Sequence, residues 1–406
     1  MAITSLTLPD NNSSAHDDLY VVANSDNANA VDFKYVIDVF SYSKQLLRAK
    51  IYPNPDTGYG YFNFSNVVAN EMKFDWFNPN GQLEMCELDN SGQITSNIQI
   101  RVGEDVSGLT TTNLSSGDIY VSNIIPDLFS RQNQVKLMTT NLRYLTDRLR
   151  TTKYKRDEDF YVGACINETT PRIQILQYNS SGTLLATNYI SFSTPSTTNI
   201  FQLNISPNAL IVSNGYVDFF NVNTAYYLAN LQSYDGVKYN TKDSIRIEFA
   251  CDTKYQTIPI HFMNKYGVFE TARFNLLSRL TMNIENKSFS KNPIKFGDSV
   301  TFYDNDLSLT RDNNTYYESK VNYGSKYDWT YKLTMDFPTD EEYIWLAQLF
   351  TSPIMYAEIK INDTLSEYYP VTIKASNYEY SKYVNNRLKP LEIEIEMNQK
   401  RYGFKR

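Results

Sequence analysis

Histidine is scarce in this chain. Only two of the 406 residues are histidine, His16 and His261. Because histidine supplies most general bases and most transition-metal ligands, we expect little chemistry of either kind. His16 falls in a polar N-terminal stretch. His261 lies in the strand-like run 257–262, where a hydrogen-bonded structural side chain is the favoured interpretation over a ligand or base.

Cysteine is nearly as scarce, and its three copies are widely separated. Cys86, Cys165 and Cys251 form no CxxC pair, so no thiol redox site or zinc knuckle is predicted. We interpret all three as small buried hydrophobic residues, and such free thiols suit folding in a reducing cytoplasm. A nucleophilic Cys165 or Cys251 would need His261 as its base, and no sequence feature supports that pairing.

The sequence also lacks the short motifs of common enzyme classes. It has no G-x-S-x-G elbow, P-loop, G-x-G-x-x-G fingerprint or H-E-x-x-H helix. No window approaches the length of apolar sequence that spans a membrane, and the N-terminus lacks the basic and apolar regions of a signal peptide. We therefore expect no catalytic residue, no cofactor, no metal and no membrane partner.

Charge is sparse and its balance is negative. Lys and Arg total 38 against 45 Asp and Glu, which gives a net charge of −7. A general nucleic-acid binder needs surplus cations to displace counterions from phosphates, so the balance argues against that class. Only residues 141–157 are strongly basic. We favour a solvated linker between two domains there over a patch that meets nucleic acid or an acidic partner.

The chain is instead rich in tyrosine and in strand-like alternation. It contains 33 Tyr and 22 Phe, and apolar residues alternate with polar ones over 31–39 and 172–178, as in half-buried strands. Clusters of turn formers at 78–81 and 89–92 predict a β-meander. The pattern predicts a mainly β chain, in which a flexible N-terminal arm precedes two tandem antiparallel β-sandwich domains of the immunoglobulin or fibronectin type. The predicted bounds are 1–30 for the arm, 31–145 for the first sandwich and 146–275 for the second.

The remaining residues, 276–406, predict an α+β domain with one clear helix. Thr339 and Glu342 form a capping box, acidic residues fill the first helical turn, and Pro353 ends the helix. The predicted strands are 299–303 and 327–337 before the helix, then 355–361, 369–375 and 391–397 after it.

The last predicted strand places three carboxylates on one face. Glu392, Glu394 and Glu396 alternate with apolar residues, so they recur on the same side of the strand. Such a row can hold a hard cation or perform glycosidic acid–base work. We favour a solvated strand face or a charge-complementary subunit contact, because no aromatic-lined groove is indicated nearby.

Three segments resemble virion structural proteins of tailed bacteriophages, and their order along the chain matches as well. They are similar to tail and collar components of the short-tailed crAss-like phages that infect gut Bacteroidetes. The resemblance spans 31–75 and 245–400, and Asn63 stands where these proteins more often carry Asp. The segments read FKYVIDVF at 33–40, PNP at 53–55 and GYFNFSNVV at 60–68; FMNKYGVFETARF at 262–274; and WLAQLFTSP at 345–353 with YPVTI at 369–373.

The resemblance implies a non-enzymatic ring protein of the phage tail or collar, assembled in the host cytoplasm and surrounding the DNA channel. The implied partners are copies of the same chain in a closed twelve-fold or six-fold ring, and neighbouring portal, tail or other ring proteins. DNA is expected only in passing, because a mildly acidic lumen does not grip phosphates. The family contributes no catalytic, cofactor or metal residues.

Two other classes of function stay open. The main alternative is a receptor- or carbohydrate-binding adhesin, since aromatic rings stack on sugars and Asn side chains bond to hydroxyls. Tyr59, Tyr61, Tyr378 and Tyr380 follow strand alternation, which favours packing or interface use over sugar binding at loop tips. An enzyme such as a glycosidase or a muralytic tail protein is the least favoured class, because the catalytic motifs are missing.

Overall fold

The structure is a computed structural model, and it describes most of the chain in separate stretches. The predicted turns at 78–81 and 89–92 and the predicted strand at 299–303 lie outside the described residues. The described residues are 3–10, 13–72, 86–87, 95–125, 142–165, 170–191, 200–207, 209–210, 219–251, 254–290, 320–336, 339–362, 365–374, 390–397 and 401–402.

The first unit is a sandwich of two sheets. One sheet has the strand order β1-β3-β6 and the other β2-β9-β8-β4-β5. Val21, Ile37 and Ile100 are among the side chains from both sheets that form one core, because alternate residues of each strand point inward. The elements are β1 (Ile3–Thr7), β2 (Ser13–Ser14), β3 (Tyr20–Ser25), β4 (Lys34–Ser41), β5 (Lys44–Ile51), β6 (Gly60–Asn63), α1 (Ser65–Ala69), β8 (Thr95–Val106) and β9 (Leu109–Ser122), with β7 (Cys86–Glu87) in the next unit.

The N-terminal residues belong to this sandwich, so the prediction of a flexible arm over 1–30 is wrong for the described part of that segment. β3 pairs with β1 on one side and with β6 on the other. Val21 and Ala23 have no exposed surface. The polar residues from Asn24 onward dominate the composition of the segment, but the alternating burial along β3 is what places it in the core.

The second unit is also a two-sheet sandwich. Its sheets have the strand orders β10-β12-β15-β7 and β11-β17-β16-β13-β14, with a shared core that includes Val162, Ile175 and Ile247. Strand β7 comes from the sequence of the first unit and pairs with β15, which ties the two sandwiches together. The strands are β10 (Arg143–Leu145), β11 (Thr151–Tyr154), β12 (Tyr161–Cys165), β13 (Arg172–Tyr178), β14 (Leu184–Ser191), β15 (Ile200–Asn204), β16 (Tyr226–Tyr234) and β17 (Tyr239–Phe249).

The third unit is an eight-stranded sheet covered on one face by a helix. Its order is β19-β18-β22-β23-β24-β21-β20, and β25 also pairs with β21. Trp345, Leu346 and Leu349 of the helix pack on the apolar face of the sheet. The elements are β18 (Ile258–Met263), β19 (Phe269–Phe274), β20 (Arg279–Ser290), β21 (Lys320–Met335), α2 (Asp340–Thr351), β22 (Met355–Asn362), β23 (Leu365–Ile373), β24 (Leu391–Met397) and β25 (Arg401–Tyr402).

The predicted fold class is confirmed: the chain is mainly β, with two sandwiches followed by an α+β unit. The predicted boundary at 275 is wrong, because β18 pairs with β22 and carries β19 with it into the third sheet. Strand alternation identified these strands but contains no information about which sheet they join.

The prediction that the basic stretch 141–157 is a solvated linker is wrong. Its described residues form two strands, and several of its cations have partners within the chain. It supplies β10 and β11 to the second sandwich. The Arg150 guanidinium lies 2.9 Å from Asp243. The guanidinium of Arg143 lies over the ring of Tyr266, and that of Arg148 lies over the ring of Trp345. Each of these cations therefore serves packing within the chain.

The helix α2 confirms the prediction from its capping box. The Thr339 hydroxyl accepts a hydrogen bond from the Glu342 amide, and the Glu342 side chain accepts one from the Thr339 amide. The five-residue helix α1 was not predicted from sequence. Within the described residues, no helix combines the length and hydrophobicity needed to cross a membrane.

Candidate functional site

The strongest concentration of titratable groups lies where the second sandwich meets the third sheet. His261 of β18 is fully buried. Its Nδ1 lies 3.0 Å from Oγ1 of Thr271 on β19, and its Nε2 lies 3.2 Å from Oε2 of Glu358 on β22. Strands β19, β18 and β22 are neighbours, so adjacent register positions bring the three side chains together.

A second buried carboxylate completes this cluster from the opposite unit. Asp159 Oδ1 accepts hydrogen bonds from Asn204 at 3.1 Å and from Ser206 at 3.3 Å. Asp159 Oδ2 accepts hydrogen bonds of 3.3 Å from the hydroxyls of Tyr161 and Tyr368. Since Tyr368 belongs to β23, this hydroxyl links the second sandwich to the third sheet. We call Asp159, Tyr161, His261, Thr271, Glu358 and Tyr368 the buried junction.

The electrostatics of the buried junction follow from burial and from the close packing of its charges. Burial raises the pKa of the Asp159 carboxyl, and the nearby charge of Glu358 raises it further. Burial acts in the same direction on Glu358, but the contacts with His261, aided by a hydrogen bond from Ser366 and the charge of Lys360, outweigh it and leave the pKa of Glu358 below its usual value. Burial raises the pKa of the Tyr161 and Tyr368 hydroxyls, so both stay protonated and donate to Asp159.

The order Thr271–His261–Glu358 has the same connectivity as a hydroxyl nucleophile, its base and an orienting carboxylate. The access that such chemistry needs is missing, since Thr271 and His261 both have 0% exposed surface. The Thr271 hydroxyl also accepts a hydrogen bond from the Tyr161 amide at 3.2 Å. These contacts fit a structural histidine, as the sequence predicted for His261.

A second ionic contact joins the same two units beside the buried junction. The Arg273 guanidinium of β19 pairs with Glu158 through Nε at 2.6 Å and Nη2 at 3.0 Å. Both side chains are buried. The Arg148 guanidinium donates to the Tyr154 hydroxyl at 2.6 Å and to the Thr271 carbonyl at 3.0 Å. The charges at this contact therefore have partners on the opposite unit.

A cavity of about 400 Å³ opens next to these ion pairs, and Arg148, Lys153, Arg273, Glu342 and Trp345 are among its lining residues. Its wall mixes cations with acids. Arg148 and Arg273 are already bound within the chain. Among the described residues, no group of three or more His, Cys, Asp or Glu side chains is placed to hold a metal ion.

The predicted candidate residues occupy separate places. The His16 ring nitrogen Nε2 lies 2.7 Å from Oδ1 of Asn123 in the first unit. Cys165 is buried among Ile124, Leu145, Tyr266 and Val268, where burial raises the pKa of its thiol to about 11. Cys251 is exposed, which contradicts its predicted burial. The structure places neither His16 nor these two cysteines in the buried junction.

The carboxylate row on β24 faces lysines of the neighbouring strands. Glu392 lies 2.6 Å from Lys332 on β21. Glu394 and Glu396 lie 3.7 Å and 3.9 Å from the Lys374 amine. Glu392 and Glu394 remain about half exposed, which fits the predicted solvated strand face, and their lysine contacts lie within one chain.

The hairpin of β20 and β21 shows an unusual exposure of apolar side chains. Leu280, Met282 and Ile284 are 47%, 43% and 55% exposed. Each lies opposite an aromatic residue of β21, in the pairs Leu280–Tyr331, Met282–Trp329 and Ile284–Tyr327. We call these six residues the apolar hairpin face. Tyr331 also packs against the core beneath α2, so this face continues the core surface beyond the helix.

The outer face of the larger sheet of the second sandwich is polar and aromatic. The rings of Tyr178 and Tyr226 stack with centroids 5.0 Å apart. The side-chain oxygen Oε1 of Gln174 accepts hydrogen bonds from the side-chain amides of Asn230 at 3.1 Å and Gln232 at 2.8 Å. We call these five residues the polar sheet face. Its amides and rings largely bind one another.

Comparison with known proteins shows little. No protein-family model and no curated protein sequence matches the chain. Among solved structures, the FN1–FN3 domains of chicken CNTN1 are similar over 62% of this chain and 65% of that chain, with 10% sequence identity and a TM-score of 0.19. The match thus covers less than two thirds of the chicken chain, and a score this low carries no argument about fold or function.

Proposed function

We propose that the chain is a non-enzymatic structural component of a bacteriophage virion that forms a ring of the tail or collar around the DNA channel. The resemblance of its three segments to phage tail and collar proteins gives the class. The apolar hairpin face is the structural observation that carries the proposal. Exposed, contiguous apolar surface of this kind marks protein contact sites, because leaving it in water is unfavourable.

The buried junction supports the same proposal in a different way. His261 and Thr271 have 0% exposed surface. The hydrogen bonds that cross between the two units, from the Tyr161 amide to Thr271 and from the Tyr368 hydroxyl to Asp159, stiffen the contact between them. Buried charged groups that are paired across two units favour one arrangement of those units. A ring subunit needs such a stiff body, because its contacts must recur with the same geometry around the ring.

The alternative function is a receptor- or carbohydrate-binding adhesin, and the polar sheet face is the observation that favours it. A flat array of Tyr, Asn and Gln offers rings for stacking and amides for hydroxyl recognition. The virion proposal is preferred because Gln174 already bonds to Asn230 and Gln232.

Electron microscopy of the purified full-length chain, combined with its mass in solution, tests the proposal. We expect closed rings with six-fold or twelve-fold symmetry, or the same symmetry for this chain in a particle. A monomer at every concentration would contradict the ring. Binding to a glycan array without self-association would favour the adhesin, and release of cell-wall fragments would favour an enzyme.

A further inference from the structure

The outer edge of β20 carries no partner among the described strands. β20 lies at the end of the eight-stranded sheet. Residues 279–287 of this strand are all exposed. A long edge strand with apolar side chains presents unpaired amides and carbonyls, and it is a template on which another strand adds.

The two faces of β20 differ sharply. Leu280, Met282 and Ile284 lie on the apolar hairpin face. Arg279 and Glu285 lie on the opposite face, because side chains alternate along a strand. Arg279 lies opposite the like charge of Lys332, whereas Glu285 lies opposite Lys326. No ion pair among the described residues involves Arg279 or Glu285, so both remain able to pair with a second chain.

One antiparallel register of β20 with itself satisfies both faces at once. With Met282 opposite Met282 of a second copy, Leu280 lies opposite Ile284, which keeps the apolar rows on the same side of the sheet. On the other side, Arg279 lies opposite Glu285, and the symmetry of the pairing creates this ion pair twice. Apolar pairs and opposite charges directly across two strands are each stabilising.

Neighbouring registers lose this match. A shift of two residues in one direction places Arg279 opposite Lys287, which is a repulsive pair. The same shift in the other direction places Arg279 opposite Asn283 and leaves both charges unpaired. A shift of one residue turns the apolar row onto the polar face of the partner.

Two other long edge strands, β5 and β14, match β20 less well. β5 carries Lys44, Arg48 and Lys50 and no acidic residue, and β14 carries no charge. Neither supplies partners for both Arg279 and Glu285.

We propose that β20 pairs antiparallel with β20 of a second copy of this chain, across a two-fold axis at Met282. The pairing merges two eight-stranded sheets into one continuous sheet. This inference deepens the proposed function and rests on its self-association. Contacts within one cyclic ring are head-to-tail, whereas a two-fold contact uses the same patch on both partners. The β20 contact therefore joins two rings face to face, and the total copy number is even.

A charge swap in the full-length chain tests the register. Arg279→Glu and Glu285→Arg should each raise the dissociation constant of the two-fold contact by about tenfold or more, because each creates a like-charge pair twice. The double variant R279E/E285R should return the constant to within about threefold of the original. Sedimentation velocity over a concentration series measures each constant. Lys287→Glu is the matched control, since this exposed charge of the same strand lies outside the charge pairs of the register.

The outcomes separate this inference from the proposed function. Loss in both single variants with recovery in the double variant supports the β20 contact. Rings that keep their mass in both single variants, or rings with an odd total copy number, overturn the β20 contact and leave the virion proposal standing. Dimers that respond to the swap without forming rings support the contact and contradict the ring. A strict monomer contradicts both. Met282→Lys, which places two lysines on the axis, should abolish the contact while circular dichroism shows the folded chain.

Discussion

The buried junction and the apolar hairpin face lie in the same eight-stranded sheet but distribute their side chains in opposite ways. At the junction, charged and polar groups are inside and paired, as in the contact between His261 and Glu358, and the Arg273–Glu158 pair beside it is buried in the same way. On the hairpin, apolar side chains such as Ile284 are outside. At one end of the sheet the side chains are therefore paired within the chain, whereas at the other end exposed apolar side chains favour contact with another protein.

The largest change in stability is expected beside the buried junction, from removing one charge of a buried ion pair. Arg273→Met leaves the Glu158 carboxylate, only 3% exposed, without its cation. We expect a loss of about 3–5 kcal/mol in the free energy of unfolding. Urea denaturation measures it. The double variant E158Q/R273M should recover much of the loss, and a single variant as stable as the parent would show that the pair does not hold the junction.

A smaller loss is expected where the first and third units touch. Gly267 has a φ of +76°, and a Cβ placed there would lie 2.6 Å from the Asn123 carbonyl oxygen. Gly267→Ala should cost about 2 kcal/mol, from backbone strain and from this clash. Gly236→Ala is the control, because Gly236 has a φ of +93° with open space around it. If thermal unfolding shows equal losses of stability for Gly267→Ala and Gly236→Ala, the two units are not packed closely at Gly267.

The stability of the buried junction should also depend on pH through the protonation of one side chain, Asp159. The pKa of Asp159 is raised, mainly by burial, so the folded chain holds this proton at a pH where the unfolded chain releases it. The resulting stability is complete below the unfolded pKa of about 3.9 and is lost as pH rises through the folded pKa. The free energy of unfolding of Asp159→Asn, relative to that of the parent, should therefore increase as pH rises from about 4 toward neutrality.

Glu358 acts in the opposite direction, because its pKa is lowered. Its contribution is present above the unfolded pKa of about 4.3 and is lost as pH falls through the folded pKa. Asp159→Asn and the parent share Glu358, so the difference between their unfolding free energies reports Asp159 together with its coupling to Glu358. A difference that does not change with pH would contradict the raised pKa.

The smallest stability change is expected on the hairpin. Ile284→Lys should alter the free energy of unfolding by no more than about 0.5 kcal/mol, because the side chain is 55% exposed. The same variant should weaken self-association in sedimentation experiments. A large loss of stability instead would show that Ile284 packs within its own chain, and the contrast between the two ends of the sheet would then disappear.

Local sequence signals predicted the elements well. The capping box of Thr339 and Glu342 located α2, and alternation gave the bounds of β13 without error. Both signals depend on neighbours within a few residues, so they are readable from one sequence. The exposed carboxylates of β24 were also interpreted correctly, since a strictly alternating strand separates its charged side from its core side.

Long-range pairing could not be predicted in the same way. Burial alternates along β3, but residues 20–23 are all apolar or aromatic, so the sequence itself shows no alternation. The partner β6 lies far along the chain, and the polar residues nearby suggested an arm. The buried junction was missed as a unit for the same reason, because Tyr368 and Asp159 are 209 positions apart. A signal was present: Glu270, Thr271 and Arg273 place polar side chains in a short strand that begins and ends with Phe, and a charge in such a strand indicates a buried partner.

The 97 positions between His261 and Glu358 also set an order of events during synthesis. A ribosome releases the second sandwich first, and with it Glu158, so Arg273 of β19 finds its partner as soon as it emerges. The imidazole of His261 gains its partner Glu358 only when β22 is synthesised, and until then this edge of β18 has no paired strand. Translation therefore leaves this nascent chain with an unfinished sheet for nearly a hundred codons, an interval in which a chaperone has its best opportunity to shield it.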